Sequence, residues 1–194
     1  MDIKHSIQLN LFGLIKHIGN YIVMKDNPRK ELDKFTNYFT ISELFPNCSV
    51  SEIYDALSCK SISTNILYSW RNLNWLRYHF KKPIVINSGY RNAEHNSRVG
   101  GVQSSQHLQG LAFDIKRSAG LSQFLIDLAL QKPFKFGQVI FYDNFVHVTF
   151  SNSKYSQFSP LFNDKTLIPY YENKKQQMLK CPLIIKMKKA KILI

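Results

Sequence analysis

Ser105-Gln106-His107-Leu108-Gln109-Gly110-Leu111-Ala112-Phe113-Asp114 places a histidine and a carboxylate seven residues apart, with a glycine between them. Its second half, continued by Ile115, is a short apolar run that reads as a strand. An aspartate at the centre of such a strand is costly to bury unless it is paired or bound to a metal ion. Further on, Phe145-Val146-His147-Val148-Thr149-Phe150 sets a second histidine in another apolar strand. Alternation puts Phe145, His147 and Thr149 on one face of that strand and Val146, Val148 and Phe150 on the other. His147 therefore points away from a wholly apolar face. Two histidines and one aspartate match the ligand count of a catalytic zinc site, which keeps its remaining position for water. Each residue also has a plainer reading. His147 alone fits a hydrogen-bonded core histidine, and Asp114 alone fits a turn cap or a partner for a lysine. Spacing by itself leaves these alternatives open.

Outward from this stretch, Gln138 to Tyr142 reads as a strand. Only Asp143-Asn144 separates it from Phe145, which predicts a hairpin. Leu121 to Leu130 reads as a helix. Upstream, Gly100-Gly101 marks a loop hinge, and Ile84-Val85-Ile86 reads as a buried strand running into Ser88-Gly89-Tyr90-Arg91. Pro83 closes a helix expected over residues 62–80. Ile66, Leu67, Trp70, Leu73, Trp75, Leu76 and Phe80 form its apolar stripe, with Arg71, Asn74 and Arg77 facing out. Phe39-Thr40-Ile41-Ser42-Glu43-Leu44 reads as a short extended piece, with Ser42 capping a turn. Ile7, Leu9, Leu11, Leu14, Ile15 and Ile18 recur at helical spacing, so residues 1–35 read as a helical N-terminal extension. Helices and strands are mixed and the strands cluster late. That order predicts an α+β domain over residues 36–165, an antiparallel sheet flanked by helices. Residues 166–194 read as a basic C-terminal tail.

The length of 194 residues suits one domain with a full core. With 44% hydrophobic and 20% charged residues, wholesale disorder is excluded. The net charge of +13 favours polyanionic surroundings. No nucleic-acid motif accompanies the basic residues, so no specific nucleic acid is expected as a partner. After Glu172 there are seven lysines and no acid, interleaved with apolar residues. This tail reads as a frayed basic terminus or as a segment that clings to an anionic wall polymer or membrane surface. Cys48, Cys59 and Cys181 form no Cys-x-x-Cys pair and read as thiols in a reducing compartment. Asn10, Lys16, His17 and Asn20 interrupt the apolar stretch Leu9 to Met24, which argues against a secretion signal. The protein is expected to be cytoplasmic as synthesised, and a monomer.

Ser88-Gly89-Tyr90-Arg91, Asn96, Val99-Gly100-Gly101, Ser105-x-His107-x-x-Gly110-x-Ala112-x-Asp114 and Phe145-Val146-His147-Val148 together resemble the zinc D-alanyl-D-alanine carboxypeptidases and related phage endolysins. The resemblance runs over about residues 36–150. It implies a Hedgehog-like zinc peptidase fold and one Zn2+ per chain held by His107, Asp114 and His147. It implies that Arg91 bonds substrate oxygens, for which a guanidinium fork is suited, and that Ser105 bonds near the metal or substrate. The implied activity is hydrolysis of peptide stems or cross-links of bacterial peptidoglycan, as a carboxypeptidase or an endopeptidase. In such an enzyme zinc acts as a Lewis acid and a carboxylate serves as base. Many members carry that carboxylate three residues before the final histidine or two after it; this chain has Asn144 and Thr149 there, and neither side chain can act as a carboxylate base. Asp143 is the nearest acid and the expected base, provided a bulge aims it inward; Glu94 is a second candidate. The missing carboxylate also motivates an alternative, a catalytically impaired zinc protein that binds cell wall. The expected lack of a secretion signal fits a phage endolysin that waits in the host cytoplasm, with a bacterial host protein as the alternative.

Overall fold

The computed structural model describes residues 38–131, 136–150 and 160–179. The helix expected over residues 1–35 and the lysines beyond Leu179 lie outside the described residues. In chain order the elements are α1 (Ile41–Leu44), α2 (Val50–Ser58), α3 (Lys60–Phe80), β1 (Ile86–Ser88), α4 (Ala93–Arg98), β2 (Ala112–Lys116), α5 (Leu121–Gln131), β3 (Phe136–Phe141), β4 (Phe145–Phe150), β5 (Leu161–Phe162) and α6 (Ile168–Leu179). The strands form one five-stranded sheet in the order β1-β2-β4-β3-β5. β1 runs antiparallel to β2 and β3 to β4, while β5 joins β3 in parallel. The fold is α+β, as the order of elements predicts. Among the described residues no helix is long and apolar enough to cross a membrane. The chain forms two compact units, Met1–Ile115 and Lys116–Ile194.

In the first unit the longest element is α3. Ser63, Ile66, Leu67, Leu73 and Asn74 are buried along it, at spacings of three, four and seven residues. Leu73 and Leu76 are fully buried; truncating either to alanine would cost about 2–5 kcal/mol. Lys81 ends the helix in the left-handed conformation, φ 62°, and its N–H bonds the Arg77 carbonyl at 3.2 Å. Pro83 then bars continuation. Asn74, expected to face out, is buried. Its Oδ1 accepts from the Tyr38 N–H at 2.7 Å and its Nδ2 donates to the Trp70 carbonyl at 2.8 Å. A side-chain amide satisfied at both ends stays inside at little cost.

Two helices precede α3 where none was expected. Phe39 to Leu44 is not extended: Thr40 caps α1, and Glu43 accepts from the Thr40 N–H at 2.7 Å and its hydroxyl at 2.9 Å. Ser49 and Glu52 repeat the arrangement at the start of α2, where Glu52 takes the Ser49 N–H at 2.6 Å. Both starts carry the Ser/Thr-x-x-Glu capping signature. Hydrogen bonds from Ser49 hold the Glu52 carboxyl below its usual value. The strand expected at Ile84–Ile86 is instead Ile86–Ser88. It lies at the sheet edge, and Val85 is 51% exposed rather than buried.

The second unit is built on the β3–β4 hairpin. The Tyr142 N–H bonds the Phe145 carbonyl at 3.0 Å, leaving Asp143-Asn144 as the two-residue tip. Val139, Phe141, Val146, Val148 and Phe150 make a buried apolar face. Phe141 stacks on Phe162 of β5 at 5.3 Å, and Phe162 meets Tyr171 of α6 at the same separation. Tyr170 of α6 donates to Asp127 of α5 at 3.1 Å. The segment expected to be a tail from residue 166 therefore begins with buried Leu167 and a helix that covers the sheet.

Arg117 ties the hairpin tip to the chain after β5. Its Nη1 lies 3.1 Å from the Tyr142 carbonyl, 3.0 Å from that of Asp143 and 2.5 Å from Asp164 Oδ2. Asp164 also takes the Thr166 N–H at 2.9 Å. Hydrogen bonds from Thr166, then from Arg117, hold the Asp164 carboxyl below its ordinary value of 3.8. A carboxyl depressed on folding stabilises the fold above its unfolded-state pKa and ceases to do so as pH falls through the folded one. Asp164→Asn is therefore expected to lower the melting temperature at pH 7 and to have little effect near pH ~2. Thermal unfolding of both proteins at the two pH values checks this; an equal loss at both would assign the effect to packing.

Candidate metal centre

Asp114 lies on β2, where Phe113 and Ile115 are fully buried on one face and Asp114 occupies the other. Its register partner on β1 is Ser88, across an irregularity in the pairing. Ser88 Oγ takes the Nε–H of Arg91 at 2.9 Å, and Arg91 Nη2 donates to Asp114 Oδ2 at 2.7 Å. The side chains of this pair are 15% and 12% exposed. A carboxylate in such surroundings needs a partner of this kind. The contact also fixes its rotation, turning Oδ1 toward His107.

His107 is 3% exposed. It stands in a tight turn before Gly110. Gly110 has φ +71°, and a Cβ there would meet the Ile66 side chain at 2.8 Å. Asn65 and Ser69 of α3 hold this turn through the Gln109 and Gly110 carbonyls, each at 2.9 Å. The long helix is thus the platform for the histidine. His107 Nδ1 lies 2.7 Å from the Gly89 carbonyl. A carbonyl only accepts, so Nδ1 carries a proton, and in the neutral imidazole Nε2 is then the nitrogen that can bind a metal. Gly89 is itself required: a Cβ there would sit 2.1 Å from the Leu44 carbonyl oxygen.

His107 Nε2 faces Asp114 Oδ1 at 3.4 Å. A charge-assisted hydrogen bond would be about 2.7–2.9 Å. Two ligand atoms about 2.0–2.2 Å from one tetrahedral zinc ion lie about 3.4 Å apart. The separation fits a shared cation better than a shared proton. His147, on β4, completes the group: one ligand atom each from His107, Asp114 and His147 lie within 4.8 Å of one another. The three residues expected as metal ligands are those the structure brings together.

The family model for Peptidase M15 matches residues 37–149. The chain belongs to the peptidase M15 family. It is thereby a zinc metallopeptidase of the D-alanyl-D-alanine carboxypeptidase family, in keeping with the resemblance carried by its motifs. A search of curated proteins returns no match.

The remaining site residues of this M15 chain are placed as follows. Arg91 reaches the Asp114 carboxylate. Ser105 is half-buried, and its Oγ takes the His107 N–H at 3.3 Å, within the turn that presents the imidazole. Asp143 stands exposed at the hairpin tip. The bulge needed to swing it inward is missing there; the pairing irregularity lies between Phe136 and Gln138 instead. With strand residues advancing about 3.4 Å each, a regular hairpin holds the Asp143 carboxylate well away from His147. Glu94 is exposed and pairs with Arg98 at 2.8 Å. The orienting carbonyl of Gly89 was not anticipated, because a backbone acceptor leaves no trace in residue identity.

Gly89→Ala is expected to weaken zinc binding at least tenfold, since it displaces the carbonyl that fixes the His107 tautomer. Chelator competition measures the affinity and thermal unfolding the stability. A lower melting temperature with unchanged zinc affinity would count against the orienting role.

Proposed function

We propose that this M15 chain is a zinc-dependent peptidase of peptidoglycan stem peptides, with His107, Asp114 and His147 holding one zinc ion. The observation that carries the reading is the 3.4 Å approach of two lone-pair atoms, His107 Nε2 and Asp114 Oδ1. The Gly89 carbonyl and Arg91 hold them in that orientation. When bound, zinc supplies a Lewis acid that polarises the scissile carbonyl and acidifies water. The chain's own residues prepare that chemistry. Arg91 neutralises the outer oxygen of Asp114 and keeps its charge turned inward. Gly89 keeps His107 in the tautomer whose Nε2 can bind a metal. His147, half-exposed on β4, leaves the centre accessible to a peptide.

One observation favours a second reading, a zinc protein that binds wall without cutting it. Asp143, the nearest acid to the missing base positions Asn144 and Thr149, lies exposed at the hairpin tip. Mass spectrometry of peptidoglycan digested by the zinc-loaded protein separates the two. New free D-alanine or new peptide ends, lost on chelation and in His147→Ala, are the expected result. Intact muropeptides with zinc fully loaded would favour the second reading. His147→Ala should cut turnover by about 10²–10³-fold, the scale on which removal of one electrostatic stabiliser acts.

A further inference from the structure

The strand face that carries His147 continues as an uncharged apolar ledge. Cross-strand partners share a face, so the hairpin register sets three rows. Ile140 stands opposite His147, and Gln138 opposite Thr149. Toward the tip, Tyr142 and Phe145 stack at 4.4 Å with an interplanar angle of 15°. Leu161 of β5 pairs with Ile140 and extends the His147 row outward. Ile140, Tyr142 and Phe145 are half-buried, and Leu161 is 50% exposed. The opposite face of the same strands is closed, with Val139, Phe141, Val146 and Val148 fully buried. On the His147 face only Thr149 is fully buried; Gln138, Ile140, Tyr142, Phe145 and His147 all keep some exposure. Half-buried apolar side chains clustered with one exposed leucine beside a reactive centre mark a binding surface.

We infer that Ile140, Leu161, Tyr142 and Phe145 form a specificity subsite for the alkyl side chains of the substrate peptide. The inference rests on the peptidase reading and names what that site prefers. Rows on a strand are about 6.8 Å apart, which is also the two-residue repeat of an extended peptide. A stem peptide lying beside His147 thus meets the rows in register with its own side chains. The four residues carry no charge, in a chain of net charge +13. An anionic wall polymer gains nothing on that ledge, whereas small alkyl groups such as alanyl methyls do.

The test uses the full zinc-loaded chain and a stem pentapeptide whose amide bonds are N-methylated to resist hydrolysis. The same peptide attached to its disaccharide is the second probe. Leu161→Asn and Tyr142→Ala should each weaken binding of both probes at least fivefold, with zinc content unchanged. Leu161 is half-exposed on an edge strand, so its variant decides the matter if Tyr142→Ala fails to fold. Unaltered affinity in Leu161→Asn, a loss confined to the disaccharide probe, or no binding by the wild type would each overturn the subsite. Cleavage of the unmodified peptide by the wild type is scored separately. Binding without cleavage sinks the peptidase reading and leaves the ledge standing.

Discussion

Asp114 carries a negative charge on a strand whose neighbours Phe113 and Ile115 are fully buried, and much of the first unit is arranged around that cost. Arg91 takes one oxygen at 2.7 Å, and Ser88 holds Arg91 in place. The other oxygen faces His107 Nε2 at 3.4 Å, a separation that one bound cation would bridge. The three side chains are thus placed where one divalent cation could be held between them. Their geometry also depends on parts remote in sequence. α3 packs under the Gln109-Gly110 turn, and the C-terminal end of α1 crowds Gly89 so closely that no side chain fits there.

The hairpin divides its labour by face. Alternation sends the valines and phenylalanines of one face into the core, where Phe141, Phe162 and Tyr171 form a continuous aromatic contact with α6. The other face carries His147, between the Tyr142–Phe145 pair and Gln138, and is fully buried only at Thr149. A one-residue slip in register would exchange the two faces. Arg117 guards against this by gripping both carbonyls of the tip and Asp164 together. The second unit thus holds its histidine through a network with no metal ligand in it.

The motifs shared with a known family named the three candidate ligands; the hairpin with its Asp143-Asn144 tip, the long helix and the α+β class were determined by the sequence directly. These follow from local rules. Strand alternation fixes which face a residue takes, helical spacing marks a stripe, and a histidine or carboxylate in an apolar strand demands compensation. The sequence also carried signals that composition-led reading passes over. Thr40-x-x-Glu43 and Ser49-x-x-Glu52 both start helices too short for periodicity to reveal.

Tertiary structure alone decided the rest, because it depends on atoms that residue identity does not label. The Gly89 carbonyl sets the His107 tautomer, yet every residue has a carbonyl. Asn74 is polar by composition but buried, because Tyr38 and Trp70 supply backbone partners. Asp143 looks like the nearest base in sequence, but a regular hairpin tip points it at solvent. Adjacency along the chain sets distance only until the backbone turns; beyond that, packing chooses which groups meet.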